Sequence, residues 1–352
     1  MYIKILIIAQ VFLGFHVTEQ CQVITFRKNP VLVVEVTSSK YQIVTGCISP
    51  KRVIYNPTTL KEIKVIAQNL GDLNEGAVEN IPEQFQLSFN MNNISTIKSD
   101  AFRNLDALET IYMDQNDIRT IETNAFDSLP SLDVINLENN KIELIMQHAF
   151  ANLPNLTMLS LDDNKLKSFH QDWFHNTPRL QTLFINNNLI SAIPKAAFVS
   201  FSALQYLSMV GNKIIHVHRD AFMGLDNLLE LSLEENRLKE IAVDFTVTPN
   251  LRYIHLSNNA LNYLPDKMLS ALQHSLKGIW IFANPWQCPC LDSFIEWGGN
   301  YNIRIMWKCN NTDLSCVIPK HDVDKCIPRS NDEFYEEAMS SFTGDCIKRH
   351  KP

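Results

Sequence analysis

The sequence predicts an α/β solenoid, a stack of about ten short repeats with a parallel β-sheet on one side and a disulfide-bonded cap at each end. Three observations predict this architecture. A pattern recurs every 24 residues, as from Leu108 to Leu132, similar residue types return at the same positions of each repeat, and all eight cysteines lie outside the repeats. A fixed period of roughly 20–29 residues is typical of solenoids, in which each repeat packs only on its neighbours.

The repeats align at ten starting residues, and the steps between them are 24 residues except for one of 23 and one of 25 near the end. The ninth position is Asn in nine of the ten repeats, and the nineteenth is Phe in six consecutive repeats. The starts are Leu60, Gln84, Leu108, Leu132, Leu156, Leu180, Leu204, Leu228, Leu251 and Leu276; the ninth positions are Gln68, Asn92, Asn116, Asn140, Asn164, Asn188, Asn212, Asn236, Asn259 and Asn284; the Phe residues are Phe102, Phe126, Phe150, Phe174, Phe198 and Phe222.

Each position has a physical reason. In a short strand that alternates inward and outward, Ile135 and Leu137 enter the core, while Asp133, Asn136 and Glu138 face outward. The chain then turns and its backbone groups lose their sheet partners, so an inward Asn amide is expected to satisfy them and bridge to the next repeat. The repeated Phe is expected to fill the wider back of the stack.

The pattern LxxLxLxxNxLxxL, with Phe five residues later, resembles the leucine-rich-repeat family over roughly Leu60–Gln287. The resemblance implies a horseshoe or arc whose parallel sheet lines the concave side. The recurring Leu, Asn and Phe residues are expected to be structural, and we assign them no ligand contacts.

Four segments are expected along the chain. Residues 1–18 combine one early positive charge with an apolar run and indicate a signal peptide; residues 19–59 form an N-terminal cap, 60–283 the repeats and 284–352 a C-terminal cap. No later stretch has the roughly 18 uninterrupted apolar residues of a membrane span. The chain is therefore expected to be secreted and extracellular, and its net charge of −7 argues against binding nucleic acid.

The N-terminal cap is expected to be a two-stranded hairpin. Val31–Val36 and Tyr41–Val44 predict two strands with a turn between them, and Cys21 and Cys47 are expected to form a disulfide that holds the hairpin on the first repeat.

The C-terminal cap holds the other six cysteines. The run from Asn284 to Cys346 resembles the family's cysteine-rich C-terminal cap, with two cysteines added. Six cysteines allow fifteen pairings, and full oxidation of all eight cysteines is expected. A capping box at Ser330 and Glu333 predicts a short helix over Asp332–Phe342. The preferred pairings are Cys288 with Cys309, Cys290 with Cys346, and Cys316 with Cys326.

Aromatic side chains occupy outward positions of the predicted concave sheet, where they have no core role. Tyr and Trp are favoured anchors at interfaces, so these residues are candidate partner contacts, although packing between neighbouring strands is an alternative explanation. They are Tyr112, Phe184, Tyr206, Tyr253 and Trp280.

Six acidic residues lie at outward positions of three consecutive repeats, which hold no Lys or Arg on their strand faces. They are expected to attract the Lys or Arg residues of a basic partner, or a Ca²⁺ ion, with Arg252 and Lys277 orienting that partner from the other end. A merely solvated acidic face remains an equally good explanation. The residues are Asp114, Glu138 and Asp162 at position seven, and Glu109, Asp133 and Asp163 beside them.

Other sites are few. The sequons at Asn93, Asn155 and Asn310 predict N-glycosylation in a secreted chain. His216 and His218 lack a third metal ligand, and no nucleophile motif or phosphate loop is present, so no metal, cofactor or enzymatic activity is expected.

These features favour a secreted recognition protein that binds an extracellular protein or peptide on its concave face. The resemblance extends to secreted invertebrate immune proteins and to receptor ectodomains, which implies innate immunity or extracellular signalling as a soluble binder or co-receptor. An extracellular-matrix organising role is the alternative, and the oligomeric state is left open.

Overall fold

A computed structural model of the chain describes residues 21, 23–307, 316–318, 324–329 and 334. One sheet of 13 strands dominates this part of the chain. In chain order its strands are β1 (Phe26–Glu35), β2 (Ser39–Gly46), β3 (Leu60–Lys64), β4 (Phe85–Ser88), β5 (Leu108–Tyr112), β6 (Val134–Asn136), β7 (Met158–Ser160), β8 (Thr182–Phe184), β9 (Tyr206–Ser208), β10 (Glu230–Ser232), β11 (Tyr253–His255), β12 (Gly278–Trp280) and β13 (Arg304–Met306).

The strands from β3 to β13 are parallel and lie side by side in sequence order. Their register follows the repeat, since Asn136 pairs with Tyr112 on one side and with Ser160 on the other. The predicted solenoid is therefore confirmed. The sheet also extends one strand further than the ten repeats, because β13 in the C-terminal cap pairs with β12.

The back of the stack consists of very short strands and turns rather than α-helices. Within residues 23–265 there is no α-helix, and the α-helices that follow in the described residues up to 307 are α1 (Asp266–Leu272) and α2 (Cys288–Tyr301). The back strands are Gly71–Leu73, Val78–Glu79, Ile94–Ile97, Phe102–Arg103, Thr120–Ile121, Leu144–Ile145, Phe150–Ala151, Phe174–His175, Ala192–Ile193 and His216–Val217, and the two 3-10 helices are Gln171–Trp173 and Phe245–Val247.

A stack of Phe rings fills the interior near the back. Phe150 lies with its ring centre 5.5 Å from that of Phe126 and 5.4 Å from that of Phe174. The regular stack is interrupted after Phe174, where Phe169 inserts and lies 4.8 Å from Phe198. The predicted structural role of these aromatic residues is confirmed, since Phe126, Phe150 and Phe198 are fully buried.

The ninth-position Asn residues form a ladder of buried hydrogen bonds. The Asn140 side-chain amide donates to the carbonyl oxygens of Met113, one repeat back, and Leu137, at 2.9 and 3.0 Å. The Asn140 Oδ1 atom accepts from the Ile118 N–H at 3.1 Å. The same three contacts recur at Asn164 with its own neighbours, which confirms that the ladder links consecutive turns.

The residue before each ladder position has a left-handed backbone. All ten eighth positions have φ between 51° and 68°, although only one of them is glycine. A left-handed residue costs about 1–2 kcal/mol when it carries a side chain, so this turn is held by its surroundings. These residues are Ala67, Met91, Gln115, Asn139, Asp163, Asn187, Gly211, Glu235, Asn258 and Ala283.

The N-terminal cap reverses the strand direction. Strand β1 is antiparallel to β3 and to β2, so β2 forms one end of the 13-stranded sheet. The predicted hairpin and the predicted Cys21–Cys47 disulfide are confirmed. The strands are longer than the sequence indicated, since β1 begins five residues before Val31 and β2 ends two residues after Val44.

The cysteine pairing predicted for the C-terminal cap is wrong. Cys288 is bonded to Cys316 and Cys290 to Cys326, so all three preferred pairs fail. The reason is a backbone bridge in which the Cys288 N–H donates to the Val317 carbonyl at 3.0 Å, which brings the segment 316–318 against the start of α2. Cys309, Cys346, Asn310 and the predicted helix over Asp332–Phe342, apart from Phe334, lie outside the described residues.

Candidate functional site

The concave face carries the outward side chains of the parallel strands, at positions three and five of each repeat. The register places equal positions of neighbouring repeats side by side, so that Tyr206 pairs with Thr182 and with Glu230. Neighbouring strands lie about 4.8 Å apart, so successive side chains of one column, that is, of the same position in consecutive repeats, follow each other at that spacing. Two parts of this face differ in chemistry.

The first part is the acidic strip, which we define as Asp114, Glu138 and Asp162. These three residues follow β5, β6 and β7 respectively, and each lies two positions beyond the last residue of its strand. The turns are held in register because the Gln115 N–H donates to the Glu138 carbonyl and the Asn139 N–H to the Asp162 carbonyl, both at 3.1 Å. Three carboxylates therefore lie in one column on consecutive repeats.

Like charges meet in the acidic strip. Burial raises the pKa of Glu138, and the negative charges of Asp162, Asp163 and Asp114 raise it further. Burial also raises the pKa of Asp162, although hydrogen bonds from Asn186 counteract this effect. In the described part of the chain no Lys or Arg forms an ion pair with any of the three carboxylates. A cation placed against the strip would relieve this repulsion.

The structure brings only part of the predicted acidic set together. Asp163 lies next to the strip and raises the pKa of Glu138 and Asp162. Glu109 and Asp133 stand at position two, at the start of their strands, about 16 Å of extended chain away from position seven. There Glu109 accepts a hydrogen bond from Gln84, and Asp133 accepts one from Thr157.

Tyr112 lies in the first of the acidic strip's three repeats, on β5, and Phe184 lies in the repeat that follows the third, on β8; both side chains are half-buried. Both occupy position five, so they face the same way as the strip and leave the repeats between them with small polar residues, Asn136 and Ser160. The geometry permits a partner side chain to lie between the two rings.

The second part is the aromatic cluster, which we define as Tyr206, Glu230, Tyr253, His255 and Trp280. The register places Glu230 directly between Tyr206 and Tyr253 on adjacent strands. These tyrosines are 42% and 38% exposed. Two tyrosines on strands that lie about 10 Å apart, with a carboxylate on the strand between them, form a surface suited to a Lys or Arg side chain.

His255 organises the aromatic cluster. Its ring stacks on that of Trp280 with centres 4.2 Å apart and an angle of 11° between the planes. Its Nε2 atom lies 3.1 Å from a Glu230 carboxylate oxygen and its Nδ1 atom 3.5 Å from one of Glu234. Gly278 leaves room for the Trp280 ring, since a Cβ atom there would lie 3.2 Å from it.

Sequence reasoning missed Glu230 and His255 as members of the aromatic cluster, and Glu234 as the neighbour of His255. A signal existed, because Glu230 follows Tyr206 in the position-three column and His255 precedes Trp280 in the position-five column. The predicted orienting residues Arg252 and Lys277 are both exposed at position two. They therefore lie at the strand-start edge, opposite to the edge that carries the acidic strip.

Two of the predicted sequons lie in described parts of the chain and are exposed. Asn93 follows the ladder residue Asn92 and has a left-handed backbone. Asn155 precedes a repeat start, where its side chain donates to the Pro130 carbonyl at 2.8 Å and accepts from Arg179 at 2.7 Å. Glycosylation at both remains a prediction.

The described residues show neither a metal site nor a membrane-spanning helix. They contain no group of three or more His, Cys, Asp or Glu side chains placed to hold a metal ion. Their helices are also too short or too polar to cross a bilayer.

Comparison with known proteins identifies the repeats in the centre of the chain. A model of the leucine-rich repeat matches the chain three times, over residues 114–166, 154–214 and 211–261. The chain therefore contains leucine-rich repeats over residues 114–261. The matches cover the central repeats of the solenoid and include the acidic strip and part of the aromatic cluster.

Solved leucine-rich-repeat structures share this fold at low sequence identity. Toll, in its complex with Spatzle from Drosophila, is 23% identical with a TM-score of 0.62, and the match covers 69% of this chain and 34% of the Toll chain. Human 5T4 is 20% identical with a TM-score of 0.51 over 66% of this chain and 88% of its own.

A third likeness is to the octameric complex of Latrophilin 3, Unc5D and the leucine-rich repeats of FLRT2. It has 18% identity and a TM-score of 0.56, covering 75% of this chain and 89% of the other. The match thus spans about a third of the Toll chain that this chain resembles. A search of curated protein sequences finds no match.

Proposed function

We propose that this leucine-rich-repeat protein is an extracellular recognition protein that binds a basic segment of another protein on its concave face. The acidic strip would attract and align Lys or Arg residues of the partner, and the aromatic cluster would anchor it. In this mechanism electrostatic attraction mainly raises the association rate, whereas the aromatic contacts slow dissociation.

The observation that carries this proposal is the column Asp114, Glu138 and Asp162. Burial, together with the negative charges of neighbouring carboxylates, raises the pKa of Glu138 and of Asp162 and so disfavours their ionised forms in the folded protein. A surface that the fold keeps at an electrostatic cost, with exposed aromatic residues on the same face, has the chemistry of a binding site.

Extracellular location is supported by the three disulfides in the described residues, since disulfides persist in oxidising compartments. The similar structures of Toll with Spatzle and of FLRT2 with Latrophilin 3 and Unc5D are complexes between proteins. A similar structure of TLR13 is a complex with single-stranded RNA, at 24% identity and a TM-score of 0.52. The net charge of −7 and the acidic strip favour a protein partner here. Within this proposal the protein acts in innate immunity or extracellular signalling, as a soluble binder or co-receptor.

The test is affinity capture from extracellular fluid with three matched baits, followed by mass spectrometry and a salt titration of binding. The first bait is the wild type, and the second carries Asp114→Asn, Glu138→Gln and Asp162→Asn. The third carries Asp106→Asn, Asp226→Asn and Glu296→Gln, three exposed carboxylates outside the strand faces, and so has the same net charge as the second.

We expect the wild type and the third bait to capture the same basic protein, and the second bait to bind it at least tenfold more slowly and with a flatter salt response. Equal binding by all three baits would remove the acidic strip from the mechanism. Capture of fibrous matrix proteins in place of a basic partner would favour the matrix-organising role.

A further inference from the structure

The outer edge of β2 is the end of the 13-stranded sheet, and within the described residues no strand lies beside it. The Glu35 N–H donates to the Ser38 carbonyl at 2.8 Å, which fixes the hydrogen-bonded pairs between β1 and β2. Hydrogen-bonded pairs alternate with non-hydrogen-bonded pairs along an antiparallel ladder. The backbone N–H and C=O groups of Lys40 and Gln42 therefore point toward β1. The N–H and C=O groups of Tyr41 and Ile43 therefore point away from the sheet, along its free edge.

The side chains at this edge are also unusually apolar. Tyr41 is 75% exposed and Ile43 is 65% exposed. Their register partners on β1 are Leu32 and Pro30, which places all four on the concave side of the sheet. Native proteins usually protect an edge strand with charges, bends or covering segments, but β2 has one charged residue, Lys40.

On the opposite face, a loop covers the centre of β2 without occupying its edge. The Gln42 side chain donates to the Ile54 carbonyl at 2.5 Å and accepts from the Ile54 N–H at 2.7 Å. Gln42 thus holds this loop through its amide group, and the Ile54 side chain is left 84% exposed. The three exposed apolar residues Tyr41, Ile43 and Ile54 lie around one open backbone edge.

We propose that β2 pairs antiparallel with β2 of a second copy of this chain, which joins the two sheets into one. A two-fold axis beside Gln42 places Tyr41 opposite the partner's Ile43, and both residues direct their backbone groups across the new interface. This pair repeats on the other side of the axis, so two hydrogen-bonded pairs and two aromatic contacts with a β-branched residue form together.

Charge and sequence are compatible with this self-pairing. With the axis at Gln42, Lys40 lies opposite the partner's Val44, and Ser39 lies opposite the partner's Thr45, so no like charges are directly opposed. The same seven residues therefore supply both halves of the interface. The proposal is independent of the acidic strip, which lies several strands away from β2.

The first experiment measures the molar mass of the secreted protein by light scattering and sedimentation over a wide concentration range. We expect the wild type to form a concentration-dependent dimer. Ile43→Lys should weaken dimerisation at least tenfold, because two ammonium groups would enter the interface while the β1–β2 ladder keeps its hydrogen bonds. Ile215→Lys is the matched control, since Ile215 is 61% exposed on a distant repeat, and its dimer should be unchanged.

The second experiment tests the register. Gln42→Cys places a thiol on the two-fold axis and should form a disulfide between copies under mild oxidation, whereas Thr45→Cys, three residues from the axis, should not. A wild type that stays monomeric at every concentration would overturn the proposal. So would equal losses from Ile43→Lys and Ile215→Lys, or capture of a different protein through Ile43 in place of self-association.

Discussion

The inward and the outward side chains of the same strands differ in how regularly their surroundings repeat. In β6 the inward Ile135 is fully buried, and the ladder residue Asn140 that follows has hydrogen-bond partners on both amide atoms. Outward, Asn136 and Glu138 have neighbours that change from one repeat to the next, and Glu138 lies among like charges. The inward contacts thus repeat from one turn to the next, whereas the outward contacts differ between repeats, and the proposed binding surface lies on this outward side. Matched substitutions at inward and outward sites test this division.

The largest effect is expected at the Phe stack. Phe150→Ala removes a fully buried ring that lies between Phe126 and Phe174, and should lower the free energy of unfolding by about 3–5 kcal/mol. Phe184→Ala removes the same side chain from the concave face and should cost about 1 kcal/mol or less. Urea unfolding measures both values. Equal losses would show that the concave aromatics are structural.

The Asn ladder should be the next most sensitive feature. Asn140→Leu removes the acceptor of the buried Ile118 N–H, and leaving that donor unpaired should cost about 1–3 kcal/mol. The carbonyls that lose Asn140 are less affected, because Met113 still accepts from Asn116 and Leu137 from Asn164. Asn136→Leu in the same repeat is the outward control. A wild-type unfolding midpoint for Asn140→Leu would contradict the ladder's role.

A smaller effect of opposite sign is expected in the acidic strip. The folded-state pKa of Glu138 is raised above 4.5, so its ionised form destabilises the fold at neutral pH. Glu138→Gln should therefore stabilise the protein at pH 7, by about 1 kcal/mol or less, since the site is partly exposed to water. The gain should shrink with added salt and disappear as the pH falls below about 4.5, where the unfolded chain also binds the proton. Thermal unfolding of both proteins between pH 3 and 8 tests this, and a gain that persisted in acid would refute the electrostatic cause.

The smallest effect on stability is expected from the sequons. Asn93 and Asn155 are exposed, so the folded chain accommodates a glycan at each. Ser95→Ala and Thr157→Ala should each remove one glycan mass from the protein produced in eukaryotic cells while changing the unfolding free energy by about 0.5 kcal/mol or less. Intact mass spectrometry before and after enzymatic deglycosylation measures occupancy. An unchanged mass for either variant would show that its sequon is not used.

Periodic features of this protein were predictable because each one recurs. The inward positions, the ladder and the Phe stack each appear in at least six repeats, so chance similarity at one site does not mislead. The acidic strip was also found in this way, as a column of equal positions. The aromatic cluster was only partly found, since its members belong to two columns and different residue types, and their contacts depend on the register between repeats.

Single-copy features were harder to predict. The disulfide pairing depends on one bridge between Gln287 and Val317, for which the sequence has no recurring signal. Helix α2 was missed although Pro289 lies in its first turn and the left-handed Asn302 ends it, both of which are typical helix boundaries. A segment that occurs only once in the chain has no second copy in the sequence with which its residues can be compared.

The left-handed residue at each eighth position determines which length of chain can fold. One repeat alone would bear the conformational cost of that turn, and its ladder Asn would have no carbonyl or N–H of a preceding repeat to bind. A neighbouring repeat offsets the conformational cost of the turn and supplies the hydrogen-bond partners. Folding of the first repeats is therefore unfavourable in free energy, and each repeat added to them is more favourable than the first. A single repeat is therefore not expected to fold by itself, and the smallest fragment expected to fold is an array of several repeats closed by a cap.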